Sequence, residues 1–218
     1  MELEKLKQKG IDAIDFIKKI DKDTEDTFIK NYKELGIDGL TESFLLDVAA
    51  FKKALSGNNN KTFCKFYYIQ KGDYLNLGLS FSDNEECDIK QNKLADDDVL
   101  YILENDQLIP KDFRQMKKDF TNKIGAKLPI HPGNKKDTLI SYSLQEINGF
   151  LDIMEKEYSD IYNLKFNMFK YSPVGIDHEL SAHFTERKNR IAFCVHALFN
   201  KKELYGESDG YDLGNLRP

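Results

Sequence analysis

The sequence predicts an α+β protein in which antiparallel sheet packs against amphipathic helices. Three observations carry this. Apolar residues recur at three- and four-residue intervals around 44–55 and 144–154, the period of one buried helical face. Between and after these come runs dense in aromatic and β-branched residues, KTFCKFYYIQ, YLNLGLSF and RIAFCVHALF, which favour strands. The turn signal KGD between two such runs makes them antiparallel neighbours.

In chain order, Ile11, Ile14, Ile17 and Ile20, then Phe28, Tyr32 and Leu35, stand at helical spacings around the polar DKDTED, which predicts two helices. A third is expected over 41–56, capped by Thr41, burying Phe44, Val48, Phe51 and Leu55, and closed by Gly57. The hairpin 61–81 follows. Ala95 to Gln107 reads as a helix, with VLYIL as a strand alternative, and Pro110 at a first helical position opens another that Gly125 stops. Residues 125–137, with two prolines and two glycines, form the candidate linker between units 1–124 and 138–218; one single domain is the alternative. Ser143 and Glu146 form a capping box for a helix burying Ile147, Phe150, Leu151 and Met154. NLKFNMFKY, HELSAHFTE and RIAFCVHALF are expected strands. Lys65-Phe66 and Lys165-Phe166 follow their helices alike, and Leu77 with Phe81-Ser82-Asp83 parallels Leu180 with Phe184-Thr185-Glu186, which suggests two helix-then-hairpin units.

Composition narrows the function classes. At 218 residues the chain can bury a sizeable core, and fifteen Phe and eleven Tyr supply the rings to fill it. Lys and Arg number 32 against 37 Asp and Glu, a formal charge of -5 without a long single-sign block, so nucleic acid is a disfavoured partner. Cys64, Cys87 and Cys194 are too few and too scattered for a disulfide framework, and with no apolar leader or membrane-length run the expectation is a cytoplasmic protein without membrane contact.

HELSAH, residues 178–183, looks like a zinc-protease helix but is not spaced like one. Only an i, i+4 interval stacks two imidazoles on one helical face. His178 and His183 are five apart, about 140° around a helix and on opposite faces of a strand. With RKNR (187–190) as a hairpin loop, Phe184 would meet Phe193, His183 would oppose Cys194, and Ser181 would oppose His196. That constellation, Cys194, His183, His196 and Ser181, is the candidate catalytic set, an imidazole-activated thiol acting on acyl or thioester bonds, with a weak transition-metal site as the other chemical reading. A solvated sheet face explains the same residues without chemistry, since neither an orienting carboxylate nor an oxyanion hole is fixed by spacing. No metal or cofactor is assigned, and elsewhere the acidic ADDDVL lacks the glycine and closing glutamate of a calcium loop, and the glycines of the tail YGESDGYDLGNLRP lack a phosphate-binding lysine.

The second half, with SYSLQEINGFLD, LKFNMFKY, VHALF and YDLGNLRP, resembles a loosely defined group of small bacterial proteins that look like single helix-plus-hairpin α+β modules with a Tyr-Asp-x-Gly tail. The resemblance spans about residues 138–218 and implies a fold but no activity. The leading expectation is a non-enzymatic protein-binding module, for which an immunity-type inhibitor of a basic partner is one form, because an acidic surface steers a cationic one. The Cys194 enzyme is the first alternative. A small-ligand protein with a cup lined by Phe63, Tyr67 and Phe166 is the second.

Overall fold

The computed structural model describes residues 18–85, 94, 98–129, 139–172, 184–185, 187–201, 204–212 and 215–217. The elements are β1 (Lys18–Ile20), α1 (Lys22–Lys33), β2 (Ser43–Asp47), α2 (Val48–Gly57), β3 (Phe63–Lys71), β4 (Tyr74–Ser82), β5 (Val99–Glu104), β6 (Gln107–Pro110), α3 (Arg114–Asn122), α4 (Ile124–Lys127), β7 (Leu139–Ser143), α5 (Leu144–Glu157), β8 (Ile161–Lys170), β9 (Ile191–Lys201), β10 (Leu204–Glu207), β11 (Gly210–Asp212) and β12 (Asn215–Arg217). The strands make two antiparallel sheets. The first runs β1-β11-β9-β8-β2, with β10 also on β9, and the second runs β12-β7-β3-β4-β5-β6. The α+β class and the antiparallel sheets are as the sequence predicts.

The sheets face one another. Phe66 of β3 meets Phe166 of β8 and Phe193 of β9, each at 5.5 Å between ring centres, and the Tyr68 hydroxyl donates to the Ile191 carbonyl at 3.0 Å. Because side chains alternate along a strand, the residues next to Phe66 and Phe193, Tyr67 on β3 and Cys194 on β9, point away from the shared core. Helices cover those outer faces. On the first sheet Phe28 of α1 packs on Phe169 at 5.5 Å, and on the second Phe113, the residue before α3, packs on Tyr67 at 5.4 Å. The expected helices at 41–56 and 143–157 do not lie on one side of a single sheet. Their buried stripes, Phe51 and Ala54 of α2 and Ile147, Phe150 and Met154 of α5, join the core between the two sheets.

Several boundaries differ from the sequence reading. Residues 18–20 are a strand paired with β11, not the end of a helix, and residues before 18 lie outside the described chain. The helix expected from Thr41 begins only at Val48. Ser43–Asp47 is a strand on β8, and Asp47 caps the helix by accepting from the Ala50 amide at 2.7 Å. Val99–Glu104 is the strand alternative, closed to β6 by Asn105 and Asp106 at φ 50° and 62°, the left-handed pair a tight hairpin turn requires. Pro110 therefore ends a strand and does not start α3, while Gly125 lies inside α4. The hairpin β3–β4 turns as expected, with Gly72 at φ 62°. Most of the expected strand 178–186 lies outside the described residues, but Phe184 and Thr185 are helical, and Phe184 packs on Phe28 at 5.0 Å instead of opposing Phe193.

The two halves are related by an exchange of strands. Each half reads strand, capped helix, then an antiparallel strand pair: β2-α2-β3-β4 and β7-α5-β8-β9. Phe44 stands three residues before its cap Asp47 and opposite Phe166, and Ile140 stands three before its cap Ser143 and opposite Phe66. The first strand of each half thus pairs with the second strand of the other, and Phe66 and Phe166 touch at the centre. The Lys-Phe echo marks equivalent positions. The echo between 77–83 and 180–186 does not, because the partner of β8 is β9.

Candidate functional site

The outer face of β9 carries Cys194 and His196, two residues apart and both buried. The expected neighbours are not the ones beside them. Cys194 is flanked by Asn167 of β8 and Asp212 of β11, and His196 by Lys165 of β8, so β9 has strand neighbours on both edges at Cys194. His183, Ser181 and His178 lie outside the described residues.

A different side chain completes the group. Glu25, in the first turn of α1, lies on the same helical stripe as Phe28 and Tyr32 and is buried with them. Its Oε1 accepts from Cys194 Sγ at 3.0 Å and from Asn167 Nδ2 at 3.3 Å and lies 2.6 Å from His196 Nε2, while Sγ and Nε2 are 3.6 Å apart. A carboxylate among apolar helix positions 25, 28 and 32 was the available sequence signal. Its place in a first turn, where acids offset the helix dipole, gives that signal an ordinary explanation as well.

The other side of the imidazole is set by a break in the strand that follows. β10 pairs Glu207 with Leu198 and β11 pairs Tyr211 with Val195, so one extra residue is accommodated between them, a bulge in effect. Ser208 uses it to bond both ways with Ala197, its amide donating to the Ala197 carbonyl at 3.0 Å and its hydroxyl accepting from the Ala197 amide at 2.9 Å. Its carbonyl then lies 2.8 Å from His196 Nδ1. Gly210 follows, where a Cβ would stand 2.6 Å from Glu25 Oε2 and 3.0 Å from His196 Nε2, so a side chain here would push the carboxylate and the ring aside.

Nδ1 of His196 faces the Ser208 carbonyl and Nε2 the Glu25 carboxylate, an arrangement that an imidazolium donating to both satisfies. Burial works to lower its pKa. The Glu25 hydrogen bond, the Ser208 carbonyl and the charges of Glu25 and Glu207 outweigh that and raise it. Burial likewise opposes ionisation of Glu25, yet hydrogen bonds from His196 and Cys194 hold its carboxyl down at about 2.

Glu25 and His196 form the floor of a groove of about 580 Å³ between α1 and the first sheet. Glu25, His196, Asn167 and Lys165 face it, as do Lys22 and Asp26; Cys194 does not. Most rim charges are paired: Lys33 with Glu42 at 2.8 Å, Lys165 with Glu207 at 3.0 Å, Lys19 with Asp209 at 2.6 Å. The expected cup lined by Phe63, Tyr67 and Phe166 is absent, since Phe166 lies in the core between the sheets and Tyr67 in the separate cluster under α3.

A second buried polar group occupies the equivalent outer face of the second sheet. Lys65, flanked by Ser80 and Ser141, pairs with Asp98 at 3.1 Å, and both side chains are fully buried. Cys64 points the other way into the core, where burial pushes its thiol far above the usual range. Among the described residues no helix is long and apolar enough to cross a membrane. No family model, curated protein or solved structure matches the chain.

Proposed function

We propose that the protein binds a small polar ligand carrying both signs of charge in the groove between α1 and the first sheet. The observation that carries this is the Glu25–His196 ion pair at the floor of that groove. The groove's volume is in the range of small-ligand sites, and its lining is charged where a drug-like site would be apolar. Lys22 and Asp26 on the rim offer opposite charges to the two ends of a zwitterion. Titrating isotope-labelled protein with a panel of amino acids and polyamines tests the reading. It is supported by saturable amide shifts confined to residues 22–29, 165–167 and 207–210, and it fails if no compound in the panel produces them.

The Cys194 hydrolase is favoured by the contacts of Sγ with His196 and Glu25, and opposed by the thiol's complete burial away from the groove. Iodoacetamide separates the two: a Cys194 that alkylates much faster than Cys64 in the native protein transfers the assignment to a thiol enzyme, whereas equal, slow reaction removes it. A basic protein partner rests on net charge alone, and the ion pairs along the groove rim leave little unpaired acidity there to attract one.

A further inference from the structure

We propose that Glu25 Oε1, Cys194 Sγ and His196 Nε2 are the three protein ligands of a transition-metal site of the zinc class, whose fourth position opens into the groove. The inference goes beyond ligand binding in the groove and stands without it. The three atoms lie within 4.8 Å of one another, and among the described residues this is the group of metal-ligating side chains that converges so. Tetrahedral zinc with bonds of about 2.0–2.3 Å needs ligand atoms about 3.3–3.6 Å apart. Sulfur and nitrogen already stand 3.6 Å apart, and Glu25 Oε1, 3.0 Å from the sulfur and 2.6 Å from the nitrogen, has to retreat by less than about 1 Å. Thiolate, imidazole and carboxylate together suit zinc or cobalt better than magnesium or calcium, which take oxygen alone.

The surroundings resemble those of a metal-binding histidine. A backbone carbonyl, from Ser208, receives the Nδ1 proton and fixes the ring with Nε2 inward, as outer hydrogen bonds do for ligating imidazoles. That carbonyl is held in turn by the bonds of Ser208 to Ala197, and Asn167 holds Glu25. Gly210 leaves the clearance. A structural carboxylate–imidazolium pair alone would not require a thiol in contact with both partners.

Charge balance favours the exchange. Without metal the group holds one carboxylate, one imidazolium and one thiol, a net charge of zero. A divalent cation releases the Sγ proton and the Nε2 proton to solvent and leaves carboxylate, neutral imidazole, thiolate and dication, again zero. A buried site that stays neutral in both states avoids the desolvation cost of an uncompensated charge. Glu25 and His196 both face the groove, so solvent or a groove ligand can complete the coordination.

The test is a cobalt(II) titration of the full chain after chelation, followed optically and reversed with zinc. The expected result is one equivalent taken up, with a thiolate-to-cobalt charge-transfer band and d–d bands of tetrahedral intensity, bleached by zinc. The C64S/C87S double variant should keep the charge-transfer band, which assigns it to Cys194 even if a Cys194 substitution fails to fold. G210A and N167A should weaken zinc binding by roughly 10–100-fold, the usual effect of disturbing groups that orient ligands. Absence of stoichiometric uptake, a weak octahedral spectrum without charge transfer, or a band lost in C64S/C87S would each overturn the site. Because no groove ligand is present, the outcome is independent of the amino-acid and polyamine titration.

Discussion

At the residue scale the chemistry depends on charges that are buried only because they are paired. Lys65 and Asp98 are both fully inside, 3.1 Å apart. Such a pair adds little net stability, but removing one partner strands the other, at a cost of about 3–5 kcal/mol. D98A should therefore lower the urea-derived unfolding free energy by about that amount, with K65M/D98L recovering most of it. The Glu25–His196 pair makes a pH-dependent contribution whose sign follows from the two shifts. Glu25, lowered from 4.5 to about 2, stabilises the fold above its ordinary value, and that is lost as pH falls through about 2. His196, raised above 6.5, stabilises below its ordinary value, and that is lost as pH rises through the raised one. In metal-free protein, the stability difference between wild type and H196Q should be largest between pH 4.5 and 6.5 and shrink on either side. Cys194 and His196 were legible as neighbours on one strand face. Their partner was not, because Glu25 arrives from 169 and 171 residues away and no local spacing records such a contact.

Errors at the element scale come where one pattern serves two structures. Phe44, Val48, Phe51 and Leu55 fit a helical stripe, yet Phe44 is on a strand and the others on a helix; Asp47 is the switch, a good cap placed inside what looks like one period. The capping box at Ser143 has no such competitor, and α5 begins where it says, with Ser143 Oγ accepting from the Glu146 amide at 3.1 Å. In VLYILENDQLIP the Asn-Asp turn outweighs helix propensity, since both residues accept left-handed geometry. The seat of α3 depends on Gly78 of β4, where a Cβ would lie 2.9 Å from the fully buried ring of Phe113. Overfilling such a contact costs about 1–3 kcal/mol. G78A is accordingly expected to lower the unfolding midpoint without altering the cobalt spectrum, because the strain falls on the second sheet.

For the whole molecule, exchange of strands makes one core out of two similar halves. The antiparallel sheets and the buried rings could be inferred from strand composition, and the repeat was visible in Lys65-Phe66 and Lys165-Phe166. The swap of β2 and β7 was not, because pairing order is set by long-range contacts that alternation does not encode. Phe66 sits at the crossing, touching Phe51, Tyr142, Phe166 and Phe193 from both sheets and from α2. F66A is expected to cost about 3–5 kcal/mol in equilibrium unfolding, at the high end for a buried ring. The same long-range closure lays α1, from the start of the described chain, over strands from its end, and this alone brings Glu25 to His196. Nitrogen NMR of the His196 side chain in metal-free protein tests that closure most directly. The expected result is a ring protonated at both nitrogens at neutral pH that becomes singly protonated in E25Q; a neutral ring in the wild type, or one indifferent to E25Q, would contradict it.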